Sequence, residues 1–61
     1  MLEIGKVYEL KGDQKVEILE QIFTSQASTQ FYKAKRITKN GKTFEDIVDE
    51  YEIMTDQKKP N

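Results

Sequence analysis

An asparagine–glycine pair standing between two strand-like segments of opposite charge restricts this chain more than any other feature. From Lys33 to Lys42 the sequence carries Lys33, Lys35, Arg36, Lys39 and Lys42 and no acid. From Glu45 to Glu52 it carries Glu45, Asp46, Asp49, Glu50 and Glu52 and no base. Asn40-Gly41 lies between the two runs. A two-residue type I′ turn needs positive φ at both central positions, and this dipeptide tolerates that. The spacing predicts a hairpin in which Lys39 pairs with Lys42. Ile37 then faces Phe44, Arg36 faces Glu45, Lys35 faces Asp46 and Ala34 faces Ile47. Opposed charges and opposed apolar groups contribute roughly 0.2–1 kcal/mol per pair. Pairing of the basic and acidic strands accounts for most of the asymmetry, and this register leaves Lys33, Lys39 and Lys42 without an acid opposite.

Composition sets the outer limits. The chain has 61 residues, 36% apolar and 34% charged, with a net charge of −1 and no cysteine, histidine or tryptophan. Disulfides, thiol nucleophiles, zinc sites of the cysteine–histidine kind and serine–histidine chemistry are excluded. No stretch approaches the roughly 18 apolar residues of a membrane span. Met1-Leu2-Glu3-Ile4-Gly5 lacks the basic and apolar regions of a signal peptide, so a cytoplasmic location is expected. A chain this short is expected to commit nearly every large apolar side chain to its core, leaving little to line a substrate cavity. A surface-acting binding module follows.

Residues 4–11 read as a first strand, with Ile4, Tyr8 and Leu10 on one face and Val7 on the other. Gly12-Asp13 marks a turn. Residues 15–24 form a second apolar element in which Val16, Ile18, Leu19, Ile22 and Phe23 fit one face of a helix; as a strand it breaks alternation at Ile18-Leu19 and requires a bulge there, and its β-branched residues favour the strand. Residues 24–30 are small and polar, as in a loop. Residues 31–38 and 42–48 are the hairpin strands, followed by a helical turn near Asp49–Glu52 and a short last strand at Ile53-Met54. The competing pattern is a helix over 44–54. Phe44, Ile47, Val48, Tyr51 and Met54 have helical spacing, and Thr43 and Asp46 are placed as a capping box. The Asn-Gly turn favours the strand. The domain is expected to span residues 1–54, with a frayed tail over 55–61.

The order of these signals resembles an SH3-like small β-barrel, of the kind found in Tudor and KOW modules. The likeness rests on Gly5-Lys6-x-Tyr8, on Lys11-Gly12-Asp13-x-x-Val16-x-Ile18, on the Asn40-Gly41 hairpin and on Ile47-Val48-Asp49-Glu50-x-Glu52-Ile53. It implies an all-β, five-stranded barrel with a short helical turn before the last strand; the alternative fold is α+β with a C-terminal helix. The chain lacks the tryptophan and aromatic groove that polyproline recognition requires.

Four functional readings follow. For protein binding or self-association the candidate residues are Tyr8, Tyr32, Tyr51, Asp49, Glu50 and Glu52, because tyrosine pairs large area with a polar tip. For nucleic acid, the basic hairpin 31–42 offers Phe31, Tyr32, Lys33, Lys35, Arg36, Lys39 and Lys42, with cations for phosphates and an aromatic for a base. An aromatic cage for a methylated cation requires tyrosines to converge. Enzymatic chemistry has only carboxylates, lysines, tyrosines and hydroxyls to draw on. Neighbouring acids on a strand point to opposite faces. A helical turn can bring Asp46 near Asp49 or Glu50, yet the spacing is not that of a calcium loop. No cofactor, metal or catalytic residue is expected. The expected role is a non-catalytic binding module, of a type suited to a bacterial or mobile-element accessory protein, with a protein partner favoured over nucleic acid.

Overall fold

A computed structural model describes residues 2–22 and 30–58. Four antiparallel strands form an open meander in the order β1-β2-β3-β4: β1 (Val7–Leu10), β2 (Gln14–Ile22), β3 (Phe31–Ile37) and β4 (Thr43–Asp49). A seven-residue helix, α1 (Glu50–Asp56), follows β4 directly. The sheet does not close into a barrel, and the predicted last strand at Ile53-Met54 is part of α1.

The bulge comes where alternation fails. Ile18 pairs with Ala34 and Glu20 with Lys33, so Leu19 is the extra residue. Before it, Val16 and Ile18 point inward; after it, Ile22 lies opposite Phe31 on the outer face. The residues at 23 and 24 of the predicted second element and the predicted loop over 24–30, up to Gln30, lie outside the described residues.

The charged hairpin forms, with a register one residue away from the expected one. Gly41 alone in this turn has positive φ, 85°. Its N–H donates to the Thr38 carbonyl at 2.9 Å, and the Thr38 N–H donates to the Lys42 carbonyl at 2.8 Å. The loop thus holds Lys39, Asn40 and Gly41, a three-residue turn closed by glycine in the left-handed region. The extra residue puts Ile37 opposite Thr43, Arg36 opposite Phe44, Lys35 opposite Glu45, Ala34 opposite Asp46 and Lys33 opposite Ile47. Paired positive φ occurs instead at the first turn, at Gly12 (77°) and Asp13 (59°).

The inner face of the sheet carries the core: Tyr8, Leu10, Val16, Ile18, Tyr32, Ala34 and Val48, closed over by Leu2 and by Ile53 of α1. Ile53 is the buried residue of the helix. Two tyrosine hydroxyls fasten the N-terminal segment, the Tyr8 hydroxyl accepting from the Glu3 N–H at 2.9 Å and the Tyr32 hydroxyl from the Leu2 N–H at 3.3 Å. Ile4, expected on the core face of β1, is exposed in the turn preceding that strand. Asp49 caps α1, its side chain accepting from the Glu52 N–H. The helix cap is therefore Asp49, and the pair Thr43–Asp46 lies within β4. Where a frayed tail was expected from residue 55, Thr55 and Asp56 complete the helix and Gln57 bridges Leu10 of β1.

Candidate interaction surface

The register decides where each charge points. Residues directly opposite in an antiparallel pair share a face. Glu17 of β2, Lys35 of β3 and Glu45 of β4 make one row across the outer face. Glu20, Lys33 and Ile47 make the next. The Lys33 ammonium lies 3.4 Å from the Glu45 carboxylate, on the diagonal between these rows. Cations of the middle strand are thus flanked by acids on both sides.

Arg36 points the other way. On the inner face its Nε donates to Asp46 Oδ2 at 3.1 Å and its Nη1 to Gln14 Oε1 at 3.2 Å. Its Nη2 lies 3.5 Å from Glu52 Oε1 of α1. One guanidinium, its side chain only 16% exposed, therefore ties β2, β4 and the helix together. Arginine suits this position because its planar fork serves several acceptors at fixed angles.

The candidates for nucleic-acid contact consequently separate. Tyr32 is fully buried and has no surface from which to stack a base. Phe31 and Lys33 are half-buried on the outer face, Lys35 is exposed beside Glu17 and Glu45, and Arg36 is engaged inward. Lys39 lies in the exposed turn and Lys42 directly follows it. The continuous acid-free patch that phosphate binding calls for is not formed among these residues.

The protein-binding candidates divide as well. Tyr8 and Tyr32 belong to the core, and their hydroxyls are committed to the N-terminal segment. Tyr51 is exposed on α1. Asp49 is committed to the helix cap and Glu52 to Arg36, while Glu50 begins the helix with its N–H donating to the Gln30 carbonyl at 3.0 Å. A cage needs two or more tyrosines around an open site; Tyr8 and Tyr32 are buried in the core and Tyr51 stands exposed on α1. Among the described residues no cluster of three or more acidic side chains is placed to hold a metal ion.

Sequence reasoning missed the apolar groups left outside. On the single segment from β4 into α1, Phe44 is 49% exposed, Ile47 55%, Tyr51 71% and Met54 61%. These residues have the helical spacing of a buried stripe, yet the first two lie on a strand. There Phe44 and Ile47 fall on opposite faces and only Val48 of the pattern reaches the core. The signal was available: a 3.6-residue period inside a segment that a turn forces to be a strand must leave apolar groups on the surface.

The pocket bounded by Glu9, Leu10, Asp13, Gln14, Lys15 and Lys58 holds about 90 Å³. Sites for drug-sized ligands run to several times that volume. No helix among the described residues is long and apolar enough to cross a membrane.

Comparison of the chain with protein-family models, with curated proteins and with solved structures finds no match.

Proposed function

We propose that this chain is a non-catalytic module that binds another protein through the segment from Thr43 to Met54. The observation that carries the reading is the exposure of Phe44, Ile47, Tyr51 and Met54 on that one segment of a small chain. Exposed aromatic and aliphatic groups beside acidic residues suit contact with a protein, here offered on both sides of the edge strand, since Phe44 and Ile47 face opposite ways. The small size of the pocket supports a role performed at the surface. The nucleic-acid reading loses ground because Tyr32 is in the core and the cations of β3 are interleaved with acids.

The test compares the wild-type chain with the triple variant Phe44→Ser, Ile47→Ser, Tyr51→Ser. All three side chains are exposed, so the variant keeps its circular dichroism spectrum. Wild type is expected either to self-associate in sedimentation velocity or to retain a defined protein from cells of its source, and the variant to lose that at least tenfold. A variant that binds like wild type ends the proposal. So does wild-type affinity for single- or double-stranded nucleic acid at low salt that the three substitutions leave intact.

A further inference from the structure

The two edges of the sheet differ. At the Glu9–Lys11 end of β1 the chain supplies its own cover: the Lys11 N–H donates to the Asp56 carbonyl and the Lys58 N–H to the Glu9 carbonyl, both at 2.9 Å. β4 ends the strand order, and no described strand pairs with its far side. The β3–β4 ladder is hydrogen-bonded at Thr38–Lys42 and again at Gln30–Glu50. Alternation between these fixed points turns the backbone of Phe44, Asp46 and Val48 toward β3 and that of Thr43, Glu45 and Ile47 outward. The Ile47 N–H is already taken by Asp46 Oδ1 at 2.9 Å, which confirms the outward direction. The N–H groups of Thr43 and Glu45 face the open edge.

Charge says what fits there. In the two rows through Lys35 and Lys33 the charges alternate in sign, from Glu17 and Glu20 on β2 to the lysines on β3 to Glu45 on β4. The next strand in that series is cationic. A second copy of β4 does not suit. Its three most overlapping antiparallel registers put Glu45 opposite Glu45, Asp46 opposite Asp46, or Glu45 opposite Asp49, and like charges directly opposed are destabilising. We propose that the β4 edge receives an extended segment of a protein partner, rich in lysine or arginine and added antiparallel as a fifth strand. The proposal rests on the protein-binding reading above and specifies the partner's chemistry. The added strand sets a cation against Glu45 and, two residues along, an apolar side chain against Ile47, while main-chain bonds supply the affinity.

The probe is a nine-residue peptide repeating Lys-Thr-Val-Thr, so that lysine and valine succeed each other on one face of the strand, with glutamate in place of lysine as the control, titrated into the isotopically labelled full chain. Amide exchange at Thr43 and Glu45 is expected to slow at least tenfold with the cationic peptide and to be unchanged with the acidic one. Glu45→Pro removes the outward N–H while leaving the β3–β4 bonds intact. Glu45→Gln removes the charge and keeps the N–H. The proline variant is expected to lose binding at least tenfold and the glutamine variant only a few-fold. Equal losses reduce the contact to charge alone and overturn strand addition, as does equal binding of the acidic peptide. Slowed exchange at Thr43 and Glu45 on concentrating the protein without peptide overturns the proposal in favour of a second copy. Should Glu45→Pro unfold, the exchange pattern of the wild type decides. If no protection appears, yet the triple variant still loses its partner, the binding module stands and strand addition alone falls.

Discussion

Gly41 holds a φ of 85° although a Cβ placed there would meet nothing within 4 Å. The requirement for glycine is therefore one of backbone conformation and not of space. Left-handed backbone costs an L-residue roughly 1–2 kcal/mol. Gly41→Ala is expected to lower unfolding free energy by about that amount in urea denaturation, with an unchanged slope. A loss near zero would mean that the turn adopts another form in solution. Asp13 carries a comparable φ of 59° without being glycine, consistent with the tolerance of aspartate for this region.

At the scale of elements, the two ion-pair sites of the hairpin offer an internal comparison. Lys33–Glu45 lies on the outer face with both side chains well exposed, whereas Arg36–Asp46 lies inward, charge-assisted and joined by Gln14 and Glu52. Exposed pairs are worth little because solvent screens them and ordering long side chains costs entropy. Double-mutant cycles are expected to give a coupling below about 0.5 kcal/mol for Lys33–Glu45 and about 1 kcal/mol or more for Arg36–Asp46. In 1 M salt the first should vanish and the second persist. Equal couplings would remove Arg36 from its place as the tie between strands and helix. Much of this level was legible in the sequence. The three longer strands, the bulge at Leu19 and the reversal before Lys42 follow from alternation and turn chemistry, which are local. The register was not legible, because a two-residue and a three-residue loop both accept Asn40-Gly41. A single-residue difference changes every opposite partner: Ala34 meets Asp46 where Ile47 was expected. Arg36 points inward because it alternates with Tyr32 and Ala34 on β3, and the shift is what brings Asp46 to that same face. The helix was half legible, since acids near Asp49 announce a helical turn. That it runs on to Asp56 depends on Ile53 reaching the core, which is a tertiary fact.

At the scale of the whole molecule, one thin sheet has its inner face covered by Leu2 and a two-turn helix. An isolated helix this short is not stable in water. Its place depends on Ile53, which is completely buried among the core residues. Ile53→Ala is expected to cost about 2–5 kcal/mol, a large part of what a chain of this size can have. Thermal unfolding should report it as a large drop in Tm, and a loss below 1 kcal/mol would show that the helix is not what closes the core. The surface groups of the candidate site could not be read from composition, because the premise that a short chain buries all its large apolar groups failed for Phe44, Ile47, Tyr51 and Met54. The segment at Asp56–Lys58 has one more effect. Fibrils lengthen when every unit offers a receptive flank at both ends, so that each arrival creates a new docking place. With Asp56–Lys58 set against the end of β1, the two flanks of this molecule are unlike, and a ligand of the proposed kind on the other flank would complete an assembly of one to one rather than extend a chain.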